Sequence, residues 1–143
     1  MKTHVVLHHS LTRDSGTVSA QAIRRYHVET LRWRDVGYHF LVERIEDRYE
    51  MIVGRPLLSR AAAAYQQSMN RIGVHYCLVG NFDNEAPPDA LLEFVAPHVA
   101  DVMEVFGMDG LEHIIGHRDV ASYKTCPGKL FDVVKFRSLV RGG

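Results

Sequence analysis

The chain is poor in cysteine, in net charge and in long apolar runs, and each shortage removes a class of protein. Only Cys77 and Cys126 occur in 143 residues, too few for a disulfide framework, so the chain reads as made in a reducing compartment. Seventeen basic residues balance seventeen acidic ones, which argues against nucleic acid as the main partner and against an anionic membrane. No apolar run approaches the roughly 20 residues of a membrane-spanning helix, so no stable membrane association is expected. Histidines interrupt the N-terminal stretch Met1 to His9 where a signal peptide would need an unbroken apolar core. That stretch reads as a first strand, and the chain is expected in the cytoplasm as synthesised. Internal repeats, low-complexity tracts and linkers are missing too. The expectation is one monomeric domain over residues 1–143.

What is present alternates between strand and helix signals. Val5-Val6-Leu7 is a β-branched run ending at His8-His9-Ser10. Ala20, Ile23, Tyr26, His27, Thr30 and Leu31 recur at helical spacing, with Thr17 or Ser19 as N-cap. Tyr38 to Glu43 and Tyr49 to Val53 predict two strands joined by a hairpin turn at Asp47-Arg48. Residues 61–70 read as irregular. Ile72 to Val79 is the most apolar strand and should be central. Pro87-Pro88-Asp89 opens a long helix whose inner face is Leu91, Leu92, Val95, Val99, Val102, Met103 and Phe106, with Pro97 expected to kink or split it and Gly107 at its C′ position. His113-Ile114-Ile115 predicts a last strand, and Phe131 to Val140 a packing helix. This alternation implies an α/β domain with a mixed, mostly central sheet flanked by helices on both faces.

The last strand runs directly into Gly116-His117-Arg118-Asp119-Val120-Ala121-Ser122-Tyr123-Lys124-Thr125-Cys126-Pro127-Gly128. His117 and Cys126 are soft donors suited to zinc, and Lys124 should project near the same point. A catalytic zinc needs a third protein ligand and an open fourth position. Ligands of α/β sheets bind beyond strand ends, which brings His8 within reach of His117. His9 competes with His8, because neighbouring strand residues face opposite sides. Spacing alone does not separate such a set from structural histidines and an ordinary thiol.

Four segments, in order, resemble the zinc-dependent N-acetylmuramoyl-L-alanine amidases of the type-2 amidase family, which includes phage lysozyme-type amidases (endolysins) and peptidoglycan recognition proteins. They are Val6-Leu7-His8-His9-Ser10, Trp33 to Leu41, Ile72-Gly73-Val74 with Leu78-Val79-Gly80-Asn81-Phe82, and the loop ending Cys126-Pro127-Gly128. The resemblance implies one Zn2+ held by His8, His117 and Cys126. It implies Tyr38 assisting the attacking water, and Lys124 as the lysine that phage-type members use at the active site. The implied reaction is hydrolysis of the amide between the lactyl group of N-acetylmuramic acid and L-alanine, in peptidoglycan or muropeptides. A phage or prophage endolysin, reaching the wall through a holin-like pore, is the leading role. A non-hydrolytic peptidoglycan-binding module and a cytoplasmic recycling amidase are the alternatives. His27 matches a helix histidine of the family and Arg55 a recurrent Gly-Arg pair, whereas His39, His75 and Cys77 are expected simply to pack. Residues 61–70 depart from the family pattern: alanine near Ala63 replaces a histidine and Gln66 a glycine. That segment helps line the family's substrate groove.

Overall fold

The computed structural model describes residues 1–12 and 20–142; the candidate caps Thr17 and Ser19 lie outside them. Five strands form one sheet in the order β3-β2-β4-β1-β5: β1 (His4–His9), β2 (Phe40–Ile45), β3 (Arg48–Val53), β4 (Gly73–Leu78) and β5 (Ile114–Gly116). β1 runs parallel to β4 and β5, β2 parallel to β4, and only β3 antiparallel to β2. The sheet is therefore mixed, as expected. β4 is central and buried along its whole length.

Alternation along β1 sends Val5 and Leu7 to one face and Val6 and His8 to the other. The first face packs on α3 (Asp89–Val105) and α4 (Val133–Gly142), in a core with Tyr76, Leu78, Leu92, Val95, Val99 and Phe136. Each such side chain, fully withdrawn from water, is worth roughly 1.5–3 kcal/mol. The opposite face is covered by α1 (Ala20–Arg25) through Ala20, Val36, Leu41 and Cys77, and by Ala64 and Met69 against Val6. The expected site residue of β1, His8, lies on this second face, under irregular chain rather than long helices.

Several local expectations change. The hairpin turn is Glu46-Asp47, because Ile45 pairs with Arg48, and Glu46 takes a left-handed φ of 57°. Pro97 does not split α3, which runs unbroken through it; its ring lies on the exposed side while the opposite face stays packed. The first helix does not keep its 3.6-residue phase. After Arg25 it widens into a π-helical turn, Tyr26–Thr30, closed by the Leu31 N–H on the Tyr26 carbonyl at 3.0 Å. Tyr26 and Leu31 are thereby turned outward, while His27 is buried. Such turns cluster at functional sites. The C-terminal helix begins at Val133 rather than Phe131, and Gly107 ends α3 at φ 70° as a C′ glycine.

Candidate active site

Register brings the site together. β5 pairs Ile115 with Val6 and Gly116 with Leu7, so His117 emerges beside His8. The two rings stand 4.9 Å apart between centroids. The loop after β5 then folds back on itself: the Arg118 N–H donates to the Cys126 carbonyl at 2.8 Å, closing residues 118–126 into a ring that returns Cys126 to His117. Gly128, at φ 128°, permits the close approach that follows, since a Cβ there would stand 2.6 Å from Phe82 backbone atoms. The ligand-capable atoms of His8, His117 and Cys126 all lie within 4.8 Å of one another, and Cys126 Sγ is 3.6 Å from His8 Nδ1.

That spacing fits a tetrahedral ion, whose ligands at about 2.0–2.3 Å stand about 3.3–3.8 Å from each other. The donor chemistry fits as well. Burial first, then the charges of His75, His117 and His9, holds the His8 imidazole neutral well below its ordinary range; burial and then Lys124 lower His117 as well. The Cys126 thiol is pushed up to about 11 by burial, with the His9 N–H and Lys124 pulling it back. Without a cation it keeps its proton, and metal uptake must release it.

His9 is excluded from this set. It faces the α3 side, where its Nδ1 accepts the Phe82 N–H at 3.1 Å. Alternation along β1 thus places His8, and not His9, beside His117 and Cys126.

The three donors line a cleft of ≈ 250 Å³ together with Tyr38, Lys124 and Trp33. Tyr38 precedes β2, its ring 5.2 Å from that of His8. Burial, and then the Cys77 and Cys126 sulfurs beside it, raises its phenol well above the ordinary value, so it is a hydrogen-bond donor rather than a phenolate. Lys124 is exposed at the rim, with Nζ 5.8 Å from the Tyr123 ring centre. His27 builds the wall: its Nδ1 accepts the Gly37 N–H at 2.9 Å and its ring meets Trp33 at 4.5 Å. Arg55 braces the same wall, donating to the Val36 and Arg60 carbonyls at 2.8 Å each.

The segment that departs from the family pattern forms the remaining edge. Ala62 and Ala63 face the cleft, and Asn70 Oδ1 accepts the Ala63 and Ala64 N–H groups at 2.8 Å. Gln66 reaches across to the Tyr123 hydroxyl at 2.7 Å. A wider hollow between residues 115–119 and 129–137 holds no comparable donor set. Its arginines serve backbone carbonyls, Arg118 those of Gly128 and Phe131, Arg137 that of Ile114.

Two contributors escaped the sequence reading. His75, expected merely to pack, lies with its Nδ1 2.9 Å from His8 Nε2. Asp83, which no motif singles out, holds the Cys126 loop through Thr125 and Lys129. Period-two alternation from Cys77 to His75 was the one available signal for the first; the second had none.

Residues 2–129 match the family described as N-acetylmuramoyl-L-alanine amidase. The chain is 31% identical over 134 residues to an endolysin of Enterobacteria phage K11, covering 91% of this chain and 82% of that protein. It is 26% identical over 136 residues to a peptidoglycan recognition protein of Trichoplusia ni, covering 92% and 72%. In structure it is similar to the N-acetylmuramoyl-L-alanine amidase LysC from Clostridium intestinale, with a TM-score of 0.80, 19% identity, and coverage of 98% and 85%. At that identity the last likeness speaks for the fold.

Proposed function

The chain belongs to the N-acetylmuramoyl-L-alanine amidase family, and from that premise we propose a peptidoglycan amidase that works with one zinc ion on His8, His117 and Cys126. The bond cut is the amide between the lactyl group of N-acetylmuramic acid and L-alanine. The observation that carries the metal reading is the convergence of three soft donors within 4.8 Å at the floor of a cleft that Tyr38 and Lys124 also line. A zinc ion there supplies Lewis acidity, polarising an amide carbonyl and acidifying water towards neutral pH.

The chain's own residues supply the rest. His8 and His117 would hold the ion as neutral imidazoles and Cys126 as a thiolate. Tyr38 keeps its phenolic proton and donates it in a hydrogen bond beside the attacked carbonyl. Lys124 brings positive charge to the rim, where a developing oxyanion is stabilised. Ala62, Ala63 and Trp33, which also line the cleft, would help confine the substrate. The role we infer is that of a phage or prophage endolysin, supported by the 31% identity with the phage K11 endolysin over most of both chains.

The test is digestion of purified peptidoglycan, with metal analysis and mass spectrometry of the products. The expected result is one zinc per chain and free amino groups on L-alanine, both lost in His117→Ala and Cys126→Ala. Cleavage at another bond, or wild-type lysis by either variant, overturns the assignment. The likeness to a recognition protein favours one other reading, a binding module; retention on peptidoglycan with no released amino groups would establish it.

A further inference from the structure

We propose that His75 is a positioning residue of the metal centre, which fixes His8 in the tautomer whose Nδ1 lone pair is free for a cation. The proposal rests on the reading of His8 as a ligand, and it is built from hydrogen-bond roles alone.

The Met69 carbonyl can only accept, and it lies 2.6 Å from His75 Nε2, so that nitrogen carries a hydrogen. His75 is fully buried, with one ring nitrogen on a backbone carbonyl and the other against the His8 ring and, among the described residues, no carboxylate on either, so it is held as a neutral imidazole. Its Nδ1 therefore keeps a lone pair. His8 Nε2 stands 2.9 Å from that lone pair and must be the donor. A neutral His8 that donates from Nε2 has its own lone pair on Nδ1, where Cys126 Sγ waits at 3.6 Å. The order is one-way: Met69 carbonyl, His75, His8, site.

Two further features hold this relay in place. The His75 N–H donates to His39 Nδ1 at 2.9 Å, and His39 in turn meets the Ser59 carbonyl through Nε2 at 2.8 Å, so the β4 backbone at His75 is pinned by the residue that precedes β2. Gly73 makes room for the ring, since a Cβ there would stand 2.8 Å from both His75 Nε2 and the Met69 carbonyl oxygen. Orienting groups of this kind raise ligand basicity, and their loss lowers metal affinity about 10–100-fold.

The tautomers are read in the metal-free protein by long-range proton–nitrogen NMR, and Zn2+ affinity by competition with a chromophoric chelator. His8 and His75 should both show the Nε2–H form. His75→Leu should weaken Zn2+ about 10–100-fold, while His75→Asn, whose Oδ1 stands near the place of Nδ1, should recover most of that loss. A merely space-filling His75 would give the reverse order, with Leu tolerated and Asn not. An Nδ1–H tautomer at His8, or wild-type affinity in His75→Leu, overturns the proposal. A wild-type chain that takes up no Zn2+ overturns the metal site instead, and the tautomer spectrum still decides the relay. Should His75→Leu fail to fold, the Asn variant and the tautomer spectrum remain decisive.

Discussion

Asp83 brackets Cys126. One carboxylate oxygen accepts the Thr125 hydroxyl at 3.0 Å and the other the Lys129 N–H at 2.8 Å, so the turn carrying the thiol is clamped on both sides from the chain end that leaves β4. The Lys129 N–H holds the Asp83 carboxyl below its ordinary range. Asp83→Ala should leave the sheet intact and weaken Zn2+ retention about 10-fold, as removal of an orienting partner does. Asp83→Asn, which keeps one acceptor, should fall between. Chelator competition on the purified variants measures both.

Tyr38 and Lys124 should separate chemistry from metal binding. Tyr38→Phe is expected to keep its zinc and its fold and to lose about 10²–10⁴-fold in turnover, the usual reach of a positioned proton donor. Lys124 is exposed, so Lys124→Met should melt like the wild type yet cleave about 10²–10³-fold more slowly, the cost of one missing oxyanion partner. Initial rates on soluble muropeptide, set beside metal content and thermal melts, check the pair. A Tyr38→Phe variant at full rate would remove the tyrosine from the mechanism.

Buried histidines should make the fold sensitive to acid. Burial pushes His39 down to about 4 and His75 to about 3, against ordinary values of 6.5. Between pH 6.5 and those values the unfolded chain binds protons that the folded chain refuses, so stability falls as pH falls. The contribution is complete above about pH 6.5 and fades progressively towards pH 3–4. Urea melts from pH 7.5 to 4 should show the decline. His39→Gln should be less stable at pH 7 and show a shallower decline, because one of the groups has gone.

Pro97 offers a stability gain. It sits inside α3 on the exposed side, where it withholds one backbone donor from the helix. Pro97→Ala should stabilise the fold by about 1–3 kcal/mol without changing hydrolysis, as read from the urea midpoint and the muropeptide rate.

How much of this was legible in the sequence depended on whether a signal was local. The β-branched run Val5-Val6-Leu7, the apolar stretch of β4 and the Pro-Pro-Asp start of α3 each announce an element from neighbouring residues alone, and all three form. The donor types His8, His117 and Cys126 and the tyrosine and lysine beside them were likewise written in short motifs.

Strand alternation alone did not choose between His8 and His9; the family resemblance pointed to His8, and only the tertiary structure supplies the physical reason. Both sheet faces are covered by apolar residues, so alternation along β1 carries no label saying which face holds the site; the label comes from α3 and α4 packing on Val5 and Leu7. The π-helical turn that buries His27 breaks the helical period on which a pattern argument depends. His75 and Asp83 act across 67 and 42 residues of chain, on His8 and Thr125 respectively. Contacts at such separations are set by strand register and loop closure, which no local pattern encodes. The sequence thus determined what chemistry the chain can perform, and the fold decided which nitrogen, on which face, is free to perform it.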